Sequence, residues 1–245
     1  MADGQNILCT GGSGLLGTAL RKRWPGAWFP ASADFDITRP EAMEAWATGK
    51  DIRCVFHAAA FTSPPKVDQD PLRAMEVNIV GTAHVARFCA ARGCRLVYVS
   101  TDYVFRGDTG NYREEDPVHP VNRYAWSKLG GECAARLYAN ALIVRTTFGP
   151  EPFPYEKAFI DQWTSRETVS AIAAKLARLA ESEVTGVLHV GGPRRTVYDY
   201  ARSCAGGKDI GRLSVHDVAF AVPADTSLDC SRYDRELAAG AVKAP

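Results

Sequence analysis

Tyr124 and Lys128 stand four residues apart in Tyr124-Ala-Trp-Ser-Lys128, a spacing that puts a phenol and an ammonium on one face of a helix. Alone, such a pair marks only a solvated helix edge. Far upstream, Gly11-Gly-Ser-Gly14-Leu-Leu-Gly17 changes its meaning. Gly11 and Gly14 let the backbone turn tightly and approach a pyrophosphate without a Cβ in the way, and Gly17 lets the next helix lie close to a sheet. Ser13, Leu15 and Leu16 fill the same turn, whose helix N-terminus faces the phosphates. The turn follows the first apolar strand and opens a helix, the context in which this pattern reads as dinucleotide binding. Together the two motifs point to redox chemistry.

Three further segments suit a nucleotide crevice. Asp34-Phe-Asp36-Ile37-Thr38 lies about twenty residues past the glycine turn, where an acid meets adenosine. His57-Ala58-Ala59-Ala60 ends the third strand with small side chains, as expected where backbone lies against a cofactor. Ser100-Thr101-Asp102 ends another strand at the carboxyl edge, where open α/β sheets bind ligands.

These positions require a frame, and the apolar pattern supplies one. Asn6 to Thr10, Gly14 to Arg23, Trp28 to Ala31, Pro40 to Ala47 and Cys54 to Ala58 read as βαβαβ. A long helix from near Pro71, a strand Leu96 to Ser100, a helix from Asn122 to Tyr138 and a strand Leu142 to Arg145 continue the alternation. The predicted class is α/β, a doubly wound parallel sheet of the Rossmann kind. Residues 1–150 form the dinucleotide-binding domain. Residues 151–245, with a helix at Val169 to Ala180 and a strand at Val187 to Val190, form a small, shortened substrate lobe that interleaves with it.

Composition narrows the function classes. The 245 residues carry 29 basic and 28 acidic side chains, so neither a nucleic-acid surface nor an acidic tail is indicated. No basic leader with an apolar stretch and no run of 18 apolar residues is read, and a cytoplasmic protein without a membrane contact is expected. The seven cysteines and five histidines show neither C-x-x-C nor metal-ligand spacing, so reduced, partly buried thiols and no metal are predicted. Arg194, Arg195 and Arg232 are candidates for a diphosphate, with surface solvation the blander alternative.

The chain resembles an extended short-chain dehydrogenase/reductase. Val99-Ser-Thr-Asp-Tyr-Val-Phe105, Tyr112-Arg-Glu-Glu-Asp-Pro117 and Asn122-Arg-Tyr-Ala-Trp-Ser-Lys-Leu-Gly-Gly-Glu132 are most similar to the dTDP-4-dehydrorhamnose reductase family of sugar-nucleotide enzymes. The resemblance is dense from Asn6 to Phe148. It implies a catalytic set of Thr101, Tyr124 and Lys128, with Asp102 and Phe148 as substrate contacts, Val99 beside the cofactor and Asn78 as support. It also implies NAD(H) or NADP(H), a sugar-nucleotide substrate and a homodimer.

In such a site hydride reaches a carbonyl carbon, and the developing alkoxide must be stabilised and protonated at once. Tyr124 donates that proton, Lys128 lowers the phenol pKa and holds the nicotinamide ribose, and Thr101 orients the substrate oxygen. Trp126 is expected to pack, or else to wall the sugar. The segment between Arg145 and Val169 is shorter than in the family, so the pocket is expected to be open, altered or completed by a partner. The second strand ends Pro30-Ala-Ser-Ala, with neither an acid nor an arginine to choose the cofactor; Asp34 tilts the reading towards NADH. A non-catalytic dinucleotide-binding regulatory subunit and a sugar-nucleotide epimerase stay open beside the reductase.

Overall fold

The apolar runs take up a period of two, and that period builds two cores. A computed structural model describes residues 3–218 and 222–241. In chain order its first elements are β1 (Ile7–Thr10), α1 (Leu15–Arg23), α2 (Pro40–Ala47), β2 (Cys54–His57), α3 (Pro64–Gln69), α4 (Pro71–Ala74), α5 (Gly81–Arg92), β3 (Arg95–Val99), α6 (Arg123–Arg136) and β4 (Ala141–Thr146). There follow β5 (Phe148–Gly149), β6 (Lys157–Phe159), β7 (Trp163–Thr164), β8 (Glu167–Thr168), α7 (Val169–Leu179), β9 (Gly186–Val190), β10 (Arg195–Thr196), α8 (Val197–Ser203), β11 (Gly211–Leu213) and α9 (Ser231–Ala241).

The main sheet runs β1-β2-β3-β4-β9 and all its pairings are parallel. Ile7, Cys9, Phe56, Val97, Leu142, Val144 and Leu188 face one core, closed by Leu16 and Leu20 of α1 and the Ile172, Leu176 and Leu179 stripe of α7. Leu8, Val55, Leu96, Tyr98 and Ile143 face the other, closed by α2, α5 and α6 through Met43, Val85, Phe88 and Ala135. Side chains alternate across each strand, so strands buried on both faces need helices on both sides. This is the doubly wound arrangement.

The predicted strand Trp28 to Ala31 is not formed. One parallel bridge joins Trp28 to Leu8, and the ladder stops because Pro30 has no N–H to continue it. The predicted long helix does begin at Pro71, capped by Asp70, whose carboxylate accepts from the Arg73 amide at 3.0 Å. It passes through a π-helical turn, Met75–Val80, and runs on as α5 to Gly93, whose left-handed φ of 65° ends it.

Past residue 150 the chain is interleaved with the first half. The α7 stripe packs on the sheet and β9 extends it beside β4, while β5 pairs β8, β6 pairs β11 and β7 pairs β10 in two-stranded pieces. All seven cysteines are free; Cys9, Cys54, Cys89 and Cys94 are buried and Cys133 is exposed.

Candidate functional site

The glycine turn leaves no room for side chains where backbone must pass. A Cβ on Gly17 would sit 2.3 Å from the Gly11 carbonyl oxygen, and one on Gly11, whose φ is 74°, would sit 2.7 Å from the Ala59 amide nitrogen. Gly14 precedes α1 without a side-chain cap, so the first amides of α1 remain donors for an anion. Beneath the turn the Thr10 hydroxyl accepts from the Ala59 amide at 3.2 Å and pairs with His57 Nδ1 at 2.7 Å. Burial and the Lys128 charge push His57 down to about 3, so it is a neutral tie between β1 and β2.

One cleft of about 700 Å³ runs from this turn across the carboxyl edge of the sheet. Its walls include Gly11, Ser13, Gly14, Leu15, Leu16 and Gly17, then Asp36 and Ile37, then Ala58, Ala59 and Ala60, and finally Val99, Thr101, Asp102, Tyr124, Lys128 and Phe148. The glycine turn, the strand ends and the Thr101, Tyr124 and Lys128 set therefore meet there. Asp34 is not among the lining residues; Asp36 is. The Asp36 carboxylate accepts from the Thr38 amide at 2.9 Å and hydroxyl at 2.8 Å. Partial burial works to raise its pKa, but these bonds and the Arg73 and Arg39 charges hold it below the usual range.

At the other end the groups are tied together. The Thr101 hydroxyl donates to Asp102 Oδ1 at 3.1 Å, and the Thr226 hydroxyl donates to Asp102 Oδ2 at 2.7 Å. Burial raises the Asp102 pKa against these bonds. Asn122 caps α6, accepting from the Ala125 amide at 2.8 Å, which sets Tyr124 in the first turn. Burial, then the charges of Asp102 and Tyr103, push the Tyr124 phenol above its ordinary value, while a hydrogen bond with Thr101 opposes them.

Lys128 does not lower that phenol in this arrangement. Its ammonium donates to the Val99 carbonyl at 2.8 Å and lies 4.2 Å from the centre of the Tyr98 ring. Burial lowers Lys128 to about 7, partly offset by Glu132. Asn78, in the π-helical turn, is buried rather than on the helix surface. It donates to the Ser127 hydroxyl at 2.8 Å, and Ser127 donates to the Tyr124 carbonyl at 2.8 Å.

Trp126 neither packs nor walls the cleft; it is 57% exposed. Arg194 pairs with Asp225 at 2.7 Å, Arg195 with Glu167 at 2.9 Å, and Arg232 donates to the Val187 carbonyl at 2.7 Å. None of the three lines the cleft. Arg73, Lys128 and Arg166 do line it; Arg166 lies near Asp102, Tyr103 and Tyr200, and its buried Nε has no hydrogen-bond partner. Thr146 Oγ1 is a second unpartnered buried atom on a lining residue. Neither stands in a recognisable motif; the signal for Arg166 was only a basic residue just ahead of the Thr168-capped helix α7.

Fold and cleft together define a doubly wound α/β protein of the Rossmann type, with a glycine-turn crevice. A family model described as RmlD substrate binding domain matches residues 5–173, and the chain belongs to that family. It is 27% identical to methionine adenosyltransferase 2 subunit beta of Bos taurus over 94% of this chain and 82% of that protein. Over 154 residues it is 36% identical to dTDP-4-dehydrorhamnose reductase of Mycobacterium tuberculosis, a match covering 59% of this chain and 50% of the relative. A crystal structure of dTDP-4-dehydrorhamnose reductase from Bacillus anthracis in complex with NADP shares the fold, with a TM-score of 0.84 at 23% identity over 96% of this chain and 92% of that one.

Proposed function

We propose that this chain is an NAD(P)H-dependent reductase of a nucleotide-linked 4-keto-6-deoxysugar, of the extended short-chain dehydrogenase/reductase type. The observation that carries the proposal is the meeting of Thr101, Tyr124 and Lys128 at one end of the cleft that the glycine turn opens. The cradle fits a dinucleotide, because Gly11 and Gly17 occupy positions where any Cβ would collide with backbone. The turn from Gly11 to Gly17, Asp36 with Ile37, Ala58 to Ala60 and Val99 would hold it. A bound reduced nicotinamide supplies hydride.

Tyr124 then gives its proton to the carbonyl oxygen. Its raised pKa keeps the phenol protonated and ready at neutral pH. Thr101 hydrogen-bonds the same oxygen and fixes it. Lys128 would hold a hydroxyl of the nicotinamide ribose, a polar partner that favours its charged form. Phe148 walls the sugar. Arg166 answers the diphosphate: a guanidinium with an unsatisfied buried Nε gains by meeting a phosphate oxygen. A cytoplasmic place and a homodimer belong to the same reading, drawn from the resemblance.

The test is oxidation of NADH and NADPH by the purified protein with nucleotide-linked 4-keto-6-deoxysugars, with Tyr124→Phe beside it. Turnover that survives the substitution undiminished would remove Tyr124 as donor.

One observation favours a second reading. The relatives aligned over 94% of this chain are methionine adenosyltransferase beta subunits, whereas the reductase match covers 59%. A dinucleotide-binding regulatory subunit would bind cofactor, reduce no sugar nucleotide and co-purify with a catalytic partner.

A further inference from the structure

The adenosine end of the cleft lacks the acid that favours NAD. Position 31, twenty residues beyond Gly11, is alanine, and Pro30 and Ser32 line the cleft beside it. In Rossmann crevices an acid at that place accepts from the ribose 2′-hydroxyl, whereas an arginine nearby accommodates a 2′-phosphate. The lining carboxylate near this end, Asp36, spends Oδ1 on Thr38 and stands among the charges of Arg73 and Arg39. Discrimination must come from elsewhere.

Arg21 supplies it. It follows Gly17 by one helical turn on α1, so its side chain leans back along the same face towards the glycine turn. One guanidinium nitrogen would lie 3.2 Å from a Cβ on Gly12, and the Phe29 Cβ would lie 2.9 Å from it. Arg21 and Phe29 thus converge behind the lining residue Gly12, beside Ser13 and Pro30. The guanidinium carbon rests 4.4 Å from the Phe29 ring centre, and a nitrogen donates to the Phe29 carbonyl at 3.5 Å, the weak limit of such a bond. Among the described residues Arg21 makes no ion pair with a carboxylate. The cation–π contact holds the guanidinium over the ring, and the bonds it makes leave most of its donors for an anion.

We propose that Arg21 binds the 2′-phosphate of NADP(H) and makes this chain selective for NADPH over NADH. The proposal rests on the dinucleotide binding of the reading above, but not on its sugar substrate.

The test uses the full chain and measures dissociation constants by nicotinamide fluorescence, with adenosine 2′,5′-bisphosphate and ADP as competing probes. NADPH should bind more tightly than NADH, and the bisphosphate more tightly than ADP. Arg21→Gln should weaken NADPH and the bisphosphate by about ten- to a hundred-fold, the scale of charged hydrogen bonds, and move NADH and ADP little. Arg21→Lys, which keeps the charge and loses the fork, should fall between. A wild-type preference for NADH, an equal loss for both dinucleotides in Arg21→Gln, or no binding of either would overturn it. Arg21-dependent NADPH binding without turnover of any sugar would instead sink the reductase reading and leave this one standing.

Discussion

Glu132 on α6 and Arg145 on β4 form a two-pronged ion pair at the centre of the protein, with Nε to Oε1 at 3.1 Å and Nη2 to Oε2 at 3.0 Å. Their side chains are 0% and 2% exposed. The Ser100 hydroxyl donates to Oε1 at 2.6 Å. The pair therefore ties the helix bearing Tyr124 and Lys128 to β4, and the Ser100 bond ties that helix to the end of β3, next to Thr101. Glu132→Gln strands a buried guanidinium and should cost about 3–5 kcal/mol in urea unfolding, whereas replacing both residues by methionine should restore most of that. A loss from the single variant no larger than a surface change would show the pair to be dispensable.

Tyr124→Phe should lower kcat by about a hundred-fold or more, the contribution of a positioned acid, while dinucleotide affinity stays near that of the wild type. Stopped-flow turnover and equilibrium fluorescence separate the two.

Lys128, lowered to about 7 from 10.5 by burial, is charged below that pH and neutral above it. If the charged form serves the reaction, kcat/KM should fall as pH rises through about 7, and Lys128→Met should lack that limb. Stability should move the other way. Between about 7 and 10.5 the unfolded chain binds more protons at this group than the folded one, so the folded state gains as pH rises. Melting curves of wild type and Lys128→Met across that window check the sign.

Gly17→Ala should abolish dinucleotide binding, because the added methyl would lie 2.3 Å from the Gly11 carbonyl oxygen. A stability loss of about 1–3 kcal/mol should accompany it, as in other overpacked sites. Calorimetric titration with NADPH and a thermal melt read both.

Arg166→Gln should raise KM for the sugar nucleotide about ten-fold or more, on the scale of a charged hydrogen bond, and leave dinucleotide affinity unchanged. An effect on the cofactor alone would place Arg166 elsewhere in the chemistry.

The glycine turn, the strand ends and the Tyr124/Lys128 helix were legible in the sequence because each is a local pattern with its own periodicity or spacing. What escaped depended on distance along the chain. Thr226 reaches Asp102 across 124 residues, and no local rule announces such a bond. Arg166 carries no motif, and the more conspicuous Arg194 and Arg195 are neutralised by Asp225 and Glu167. The strand expected at Trp28 to Ala31 shows the opposite error. Its residues are apolar as a strand requires, but Pro30 limits it to one bridge. The spacing places Lys128 beside the phenol and the ribose, whereas the acceptor its ammonium meets in the structure, the Val99 carbonyl, is one that spacing cannot reveal.

The placement of β9 bears on how such a protein can diversify. Residues 186–190 complete the main sheet beside β4, so the segment contributing Phe148 and Arg166 to the cleft is stitched into the frame at both ends. It cannot be exchanged as a detachable cassette without opening a sheet edge. New substrate preferences must arise by changing loops in place, and a deletion there reshapes the mouth of the cleft while the frame that carries the chemistry is inherited whole.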